Sequence, residues 1–316
     1  MRLIEIYQRL INLGKENDPR PKEEVEKYLA RAAKEYEKLQ DEERGYFDQE
    51  RLTNPYSDTR ILHGEPDTEV KKILAGIDME VPEILLADRL REKGESIDLV
   101  LAHHPEGKAM ANLYQVMALQ EDVLAQLGVP INVAEGILSS RISEVERGMM
   151  PLNHNRAVDA ARLLNIPFMC VHTPADNMVN TFLTKLFDEK QPETVGDVVQ
   201  VLLTLPEYQA SKALNAGPKC FVGKESNRAG KIFVDMTGGT SGSEDAFAKL
   251  AIAGVGTIVG MHMGEKHRKE AEKHHINVLI GGHMASDSLG LNLLLDELEK
   301  EGMEIISCSG FHRVKR

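Results

Sequence analysis

From Val70 to the C-terminus, the chain alternates short apolar runs with amphipathic segments, and this alternation constrains the fold more than any other feature. The apolar runs are typical of buried strands, and the segments between them have apolar residues at helical spacing. The predicted strands are Lys72–Asp78, Leu99–Ala102, Phe168–Val171, Lys231–Met236, Thr257–Met261, Asn277–Ile280 and Ile305–Ser309. The predicted helices are Pro82–Lys93, Ala111–Leu127, Asn155–Leu164, Val195–Leu203, Ser243–Ala253, Glu265–His275 and Ser288–Glu301. Such alternation predicts an α/β fold with largely parallel or mixed sheets flanked by helices.

The N-terminal part of the chain has a different pattern. Charged residues are dense from Lys22 to Glu43, and apolar residues recur there at helical spacing. We therefore predict a helical extension over residues 1–66, which packs on the body or on a neighbouring subunit and carries no recognisable chemistry. A polar stretch near Asp188–Glu193 divides the body. We predict a first α/β lobe over 67–187 and a second α/β segment over 188–316 that closes a cleft.

Composition excludes several classes of protein. With 316 residues, of which 42% are hydrophobic, the chain can bury a sizeable core. Its net charge of -12 argues against nucleic acid as a partner. The longest uncharged run, Leu250 to Gly264, is too short to span a bilayer, and Glu5 and Arg9 interrupt any signal-peptide core. The three cysteines form no CxxC pair. We expect an acidic cytoplasmic protein without a membrane partner.

Histidines follow three of the predicted strands at or just beyond the points where the strands end. The residues concerned are His103 and His104 after Leu99–Ala102, His172 and Asp176 after Phe168–Val171, and His283 and Asp287 after Asn277–Ile280. In open α/β folds, ligand sites gather outside the carboxyl ends of strands. The pattern therefore predicts one site that combines imidazole with carboxylate.

The donor types indicate a metal site. Neutral imidazole and carboxylate are ligands for zinc, iron(II) or manganese, and they differ from the thiolates of most structural zinc sites. Successive side chains of a strand point in opposite directions, so His103 and His104 reach two ions more readily than one. We expect two divalent ions, with Asp176 as the carboxylate between them.

A simpler interpretation remains open for each histidine taken alone, because a single histidine is commonly a hydrogen-bonded core or loop residue. The doublet His274-His275 illustrates this, since it lies in the charged run Glu265–His275 and is expected at a solvated helix end. The turn Gly238–Gly242 has two interpretations as well. It opens a helix and could present backbone N–H groups to phosphate, or it could be an ordinary tight turn.

Several motifs, in the same order, resemble those of the Nif-three-like family. They are Lys72–Asp78, the His-His-Pro ending of Leu99–Pro105, Val171–Asp176, Gly238–Gly242, and Gly260–His267 followed by Gly282–Asp287. The resemblance covers roughly Val70 to His312 and leaves out the helical extension. It implies a two-lobed α/β fold and a homohexameric ring. It also implies a dinuclear metal site with the ligands His103, His104, Asp176, His283 and Asp287. The family usually has Glu where this chain has Asp287.

The resemblance and the donor set together suggest a metal-dependent hydrolase that uses metal-activated water. His172 is the favoured proton-transfer residue, with Glu265 and His267 as alternatives. The expected substrate is a small polar, nucleotide-like or phosphorylated molecule, and family members are often described as GTP cyclohydrolases. A non-catalytic, metal-stabilised scaffold or regulatory protein is the alternative. A ring that handles DNA is a third possibility, which the net charge opposes.

Overall fold

The computed structural model describes residues 1–316 and contains nine strands in two separate sheets flanked by helices. The strands are β1 Arg60–His63, β2 Lys72–Gly76, β3 Leu99–Ala102, β4 Phe168–Cys170, β5 Lys219–Val222, β6 Lys231–Asp235, β7 Val255–Gly260, β8 Asn277–Ile280 and β9 Glu304–Cys308. The first sheet has the order β1-β4-β3-β2-β9, and the second has the order β5-β8-β7-β6. All neighbours are parallel except β1 with β4 and β5 with β8. The predicted α/β class with mixed sheets is confirmed.

Fifteen α-helices and one short 3₁₀ helix, Gln49–Leu52, accompany the sheets. The α-helices are α1 Leu3–Glu16, α2 Lys22–Lys38, α3 Asp41–Arg44, α4 Val81–Glu92, α5 Gly107–Ala111, α6 Leu113–Val116, α7 Leu119–Leu127, α8 Ile131–Met149, α9 Arg156–Leu163, α10 Thr173–Lys190, α11 Val195–Leu202, α12 Pro206–Ala213, α13 Ala246–Ile252, α14 Glu265–Lys273 and α15 His283–Lys300. None of them combines the length and the apolar character that a membrane crossing requires.

Helices α10 and α15 pack against each other and connect the cores of the two sheets. Near its start, α10 contributes Ala175 to the core of the first sheet, and further along it contributes Leu183 to the core of the second. Helix α15 does the same with Leu291 and Leu289. The two helices therefore fix the N-terminal turns of α10 and α15 between the sheets.

The N-terminal extension is part of the first core. Leu3, Ile6 and Leu10 of α1 are fully buried there, and α1 packs on α10. Strand β1, at the end of the extension, forms the antiparallel edge of the first sheet. The extension thus packs on the body of its own chain.

The structure differs from the predicted elements in identifiable ways. The predicted helix Ala111–Leu127 is divided into α6 and α7, helix α5 lies just before it, and helices α8, α10 and α12 were not predicted. Helix α10 is buried on several sides, so its sequence lacks the single apolar stripe that marks a surface helix. Strand β9 belongs to the first sheet although it follows the second in sequence. The exact domain boundaries remain a prediction.

Candidate metal centre

Imidazole rings from three strand ends meet between the two sheets. His103 and His104 follow β3, His172 follows β4, and His283 begins α15 after β8. The ring centroid of His103 lies 4.9 Å from that of His172, and the centroid of His104 lies 5.2 Å from that of His283. Histidines that follow strands of both sheets therefore form one cluster.

Two carboxylates join these rings because α10 and α15 pack closely. Asp176 and Asp287 each lie in the first turns of their helices, four residues after His172 and His283. A Cβ atom on Gly290 of α15 would lie 2.3 Å from the carbonyl oxygen of Ala175 in α10, so only glycine permits this approach. The helix contact brings the two carboxylates together.

The donor atoms form two groups that contain Asp287, and a third group consists of His103, His104 and His172. On one side, His103 Nε2 lies 3.5 Å from Asp287 Oδ1 and 3.6 Å from Asp176 Oδ1. On the other side, Asp287 Oδ2 lies 3.4 Å from His104 Nε2 and 3.3 Å from His283 Nε2. Within each group the donor atoms lie within 4.8 Å of one another. The carboxylate common to both groups is Asp287, whereas the sequence had favoured Asp176.

Hydrogen bonds at Nδ1 leave the Nε2 atoms of three histidines available. His103 Nδ1 lies 3.1 Å from the carbonyl oxygen of Val171, which can only accept a hydrogen bond. His104 Nδ1 lies 2.6 Å from Asp78 Oδ1, and His172 Nδ1 lies 2.9 Å from Asp58 Oδ2. In a neutral imidazole the other nitrogen then carries the lone pair. Metal-binding histidines are commonly oriented in this way.

Several polar atoms at the centre are buried without a hydrogen-bond partner. They are His103 Nε2 and both carboxylate oxygens of Asp287. Unpaired buried polar atoms, and buried charges above all, are costly and uncommon in native proteins. A cation beside each oxygen of Asp287 would remove this cost, so the donor set fits a metal centre.

The electrostatics of the centre are strongly coupled. Burial raises the pKa of Asp176 well above its ordinary value, whereas at Asp287 the surrounding imidazoles, above all His103, outweigh burial and hold the pKa far below it. At His104, burial acts to lower the pKa, but the carboxylates of Asp287 and Asp78 outweigh burial. The pKa of His104 is therefore raised to about 9. Burial lowers the pKa of His283 to about 4. At neutral pH His283 is therefore ready to bind a metal, whereas His104 must first lose a proton.

The second sheet supplies a cleft wall that the sequence did not predict. Asp235 at the end of β6, Ser241 and His262 line the cleft together with His172 and His283. Ser241 Oγ lies 3.0 Å from His262 Nδ1, and the ring of His262 lies against that of His283. Ser241 and His262 lie in the motifs Gly238–Gly242 and Gly260–His267, whereas the only signal for Asp235 is its position at a strand end.

A small apolar cavity of about 50 Å³ adjoins the cleft. It shares Asp235, Met236 and Thr237 with the cleft lining. Phe233 and Phe247 contribute aromatic walls. The cavity therefore lies next to the polar space in front of the metal donors.

The remaining candidate residues lie apart from the donor groups. Glu265 is exposed and pairs with Arg268, and His267 Nε2 donates to the carbonyl oxygen of Gly242 at 3.0 Å. The doublet His274-His275 follows α14, with His275 exposed, and belongs to no donor group.

The glycine-rich turn forms part of the cleft wall. Gly239, Thr240 and Ser241 line the cleft, and Gly238 and Gly239 both have positive φ. The side-chain amide of Gln120 donates to the carbonyl oxygens of Gly238 and Thr240 at 2.6 and 2.7 Å. These two hydrogen bonds fix the conformation of the turn beside the cleft.

Among the comparisons with known proteins, only the search of solved structures found similar proteins. A scan against protein-family models and a search of curated proteins gave no match. Among solved structures, a NIF3 superfamily protein from Sphaerobacter thermophilus is 27% identical with a TM-score of 0.70, covering 80% of this chain and 91% of that chain. Reduced HcgD from Methanocaldococcus jannaschii is 16% identical with a TM-score of 0.49, covering 78% and 87%. A Bacillus cereus protein related to NIF3 is 12% identical with a TM-score of 0.41, covering 79% and 89%.

Proposed function

Since the chain belongs to the NIF3-like family by its fold, we propose that it is a metal-dependent hydrolase whose centre binds two divalent ions of zinc, iron or manganese. The observation that carries this proposal is the pair of unpartnered, buried oxygens of Asp287. Each of them faces its own set of imidazole nitrogens.

The two donor groups suggest how the ligands divide. His103, Asp176 and Oδ1 of Asp287 would hold one ion, and His104, His283 and Oδ2 of Asp287 would hold the other. Asp287 would then contribute a donor to both ions. Three side-chain donors at each position leave room for water and substrate, as in catalytic rather than structural sites.

Bound divalent ions would supply Lewis acidity and would acidify water for attack. The chain's own contribution begins with His172, which lines the cleft and whose Nδ1 is occupied by Asp58. Its Nε2 is therefore free to accept a proton during hydrolysis. This supports a proton-transfer role for His172 beside the ligands.

The cleft and its neighbouring cavity support a nucleotide-like or phosphorylated substrate. The polar wall with Ser241 and the turn before it suits a phosphate or another polar group near the metals. The apolar cavity beyond Asp235, lined by Phe233 and Phe247, suits a small apolar group of the molecule.

Self-association is a further part of the proposal. Leu85, Leu163, Leu214 and Ile252 are large apolar side chains that remain exposed in the single chain. Such residues are compatible with burial in a homohexamer. Light scattering of the purified protein gives the mass that tests this.

Hydrolysis assays test the proposed activity. The chelator-treated protein is supplied with zinc, iron(II) or manganese and assayed on p-nitrophenyl phosphate, its diester and nucleoside triphosphates including GTP. We expect turnover that depends on added metal, is lost in Asp287→Asn and is retained in the control His275→Ala. Absence of turnover with a fully metal-loaded protein would contradict the hydrolase function and favour a binding role.

A further inference from the structure

A buried loop of the N-terminal extension reaches the centre. Every residue from Asn54 to Arg60 is buried, although the sequence marks the extension as outside the family motifs. The fully buried guanidinium of Arg60 donates to the carbonyl oxygens of Tyr56 and Thr59 at 2.6 and 2.7 Å, and to Asp48 Oδ2 at 2.7 Å. These bonds hold the loop in one conformation.

The loop places the Asp58 carboxylate directly behind His172. Asp58 is fully buried, and its Oδ2 accepts hydrogen bonds from His172 Nδ1 at 2.9 Å and from Thr173 Oγ1 at 2.6 Å. The neighbouring Thr59 hydroxyl accepts from the backbone N–H of His172 at 3.2 Å. Both the ring and the backbone of His172 are thus held by the extension.

These contacts decide which nitrogen of His172 carries the proton. The carboxylate of Asp58 accepts hydrogen bonds, so Nδ1 is the protonated nitrogen of the neutral ring. Asp176 Oδ2 is 3.5 Å from the same Nδ1, which is too far for a hydrogen bond of ordinary strength. Asp58 therefore fixes the tautomer, and Nε2 keeps its lone pair.

We infer that Asp58 is a positioning residue through which the N-terminal extension completes the centre, holding His172 in the tautomer whose Nε2 can accept a proton. This inference builds on the proposed function of His172. It also assigns a chemical role to the extension, for which the sequence predicted none.

The tautomer can be measured directly. Histidine labelled with ¹⁵N is incorporated into the zinc-supplemented protein, and long-range ¹H–¹⁵N spectra identify the protonated ring nitrogen. The His172→Gln variant assigns the signals of His172. We expect Nδ1–H in the wild-type protein, and a protonated Nε2 there would overturn the inference on its own.

Two matched variants test the cause. In Asp58→Asn the amide can donate to Nδ1, which favours the Nε2–H tautomer. Asp18→Asn is the control, because Asp18 is a buried carboxylate of the same extension that contacts Arg20 and Tyr56 but not His172. We expect the tautomer to change in Asp58→Asn alone. A folded Asp58→Asn protein with the wild-type tautomer would overturn the inference.

A kinetic readout separates this inference from the proposed function. The wild-type protein and Asp58→Asn are assayed with a substrate that the wild-type protein hydrolyses. We expect Asp58→Asn to lower kcat by about 100-fold with little change in KM, as for loss of a general base. The metal content of the variant should be unchanged. An equal loss in Asp18→Asn would overturn the positioning role. If the wild-type protein hydrolyses nothing, the proposed function fails, and the tautomer measurement still decides the role of Asp58.

Discussion

At the scale of single residues, three histidines of the centre, His103, His104 and His172, each depend on a neighbour that accepts a hydrogen bond from Nδ1. Val171, Asp78 and Asp58 take the Nδ1 hydrogens of three histidines, and two of these acceptors are carboxylates. Such partners orient the ring and increase the basicity of the free nitrogen. The protonation of these rings therefore affects metal binding as well as their position does.

The raised pKa of His104 predicts proton release on metal binding. In the metal-free protein this pKa is about 9, so the ring is protonated at pH 7 and must lose that proton before Nε2 can bind an ion. His283, with a pKa of about 4, is already neutral there. We expect release of about one proton per chain from His104 at pH 7, and weaker binding as the pH falls. Titration calorimetry in buffers of different ionisation enthalpy measures this.

The variant Asp78→Asn is the control for this pH effect. It removes one of the two carboxylates that raise the pKa of His104. Proton release at pH 8 should therefore be smaller in this variant than in the wild-type protein. Binding heats that do not depend on the buffer in the wild-type protein would contradict the assignment of His104 as a ligand.

Single residues also show what the sequence could and could not reveal. The strand-end histidines were visible because an apolar run predicts where a strand ends, and parallel strands end at one edge of a sheet. Asp58 and Asp235 were not, because their distance from the centre depends on a loop path and on the packing of the second sheet. The choice of Asp287 over Asp176 as the shared carboxylate likewise required the observed distances.

At the scale of elements, the contact between α10 and α15 sets the spacing of the two carboxylates. Gly290→Ala would place a methyl group 2.3 Å from a backbone oxygen of α10, so the helices must separate. We expect the free energy of unfolding to fall by about 1–3 kcal/mol. Metal affinity should fall as well, because Asp176 and Asp287 move apart. Denaturant unfolding and metal titration check both effects.

Gly136→Ala in α8 is the matched control. A Cβ atom there meets nothing within 4 Å, and alanine is the better helix former. This variant should be as stable as the wild-type protein or slightly more stable, with unchanged metal affinity. Equal behaviour of the two glycine variants would contradict the role of the close helix contact.

Predictability also varied between elements. Strands β3 and β8 were predicted with their observed bounds, because they are short apolar runs between polar residues. Helix α10 was missed, and α15 was predicted only from Ser288, although it begins at His283. Both helices have buried residues around much of their circumference, since they lie between two sheets. The periodic signal is weak in the two helices that build the centre.

At the scale of the whole molecule, the extension, the two sheets and the cleft form an interdependent structure. Burial of Leu3, Ile6 and Leu10 contributes about 1.5–3 kcal/mol each, which together is comparable to the whole stability of a typical domain. Removal of residues 1–66 also deletes β1 from the first sheet. We expect the truncated chain to lose its cooperative thermal transition by circular dichroism. A truncated chain with the wild-type melting temperature would contradict this.

The most direct test of the central claim is the metal content per chain, measured by elemental analysis of untagged protein that has been purified without chelator. The comparison includes Asp287→Asn, which removes the shared carboxylate, and His275→Ala as the control outside the donor groups. We predict about two equivalents of zinc, iron or manganese in the wild-type and control proteins, and a large loss in Asp287→Asn. A metal content near zero in the wild-type protein that added metal does not raise would contradict the account.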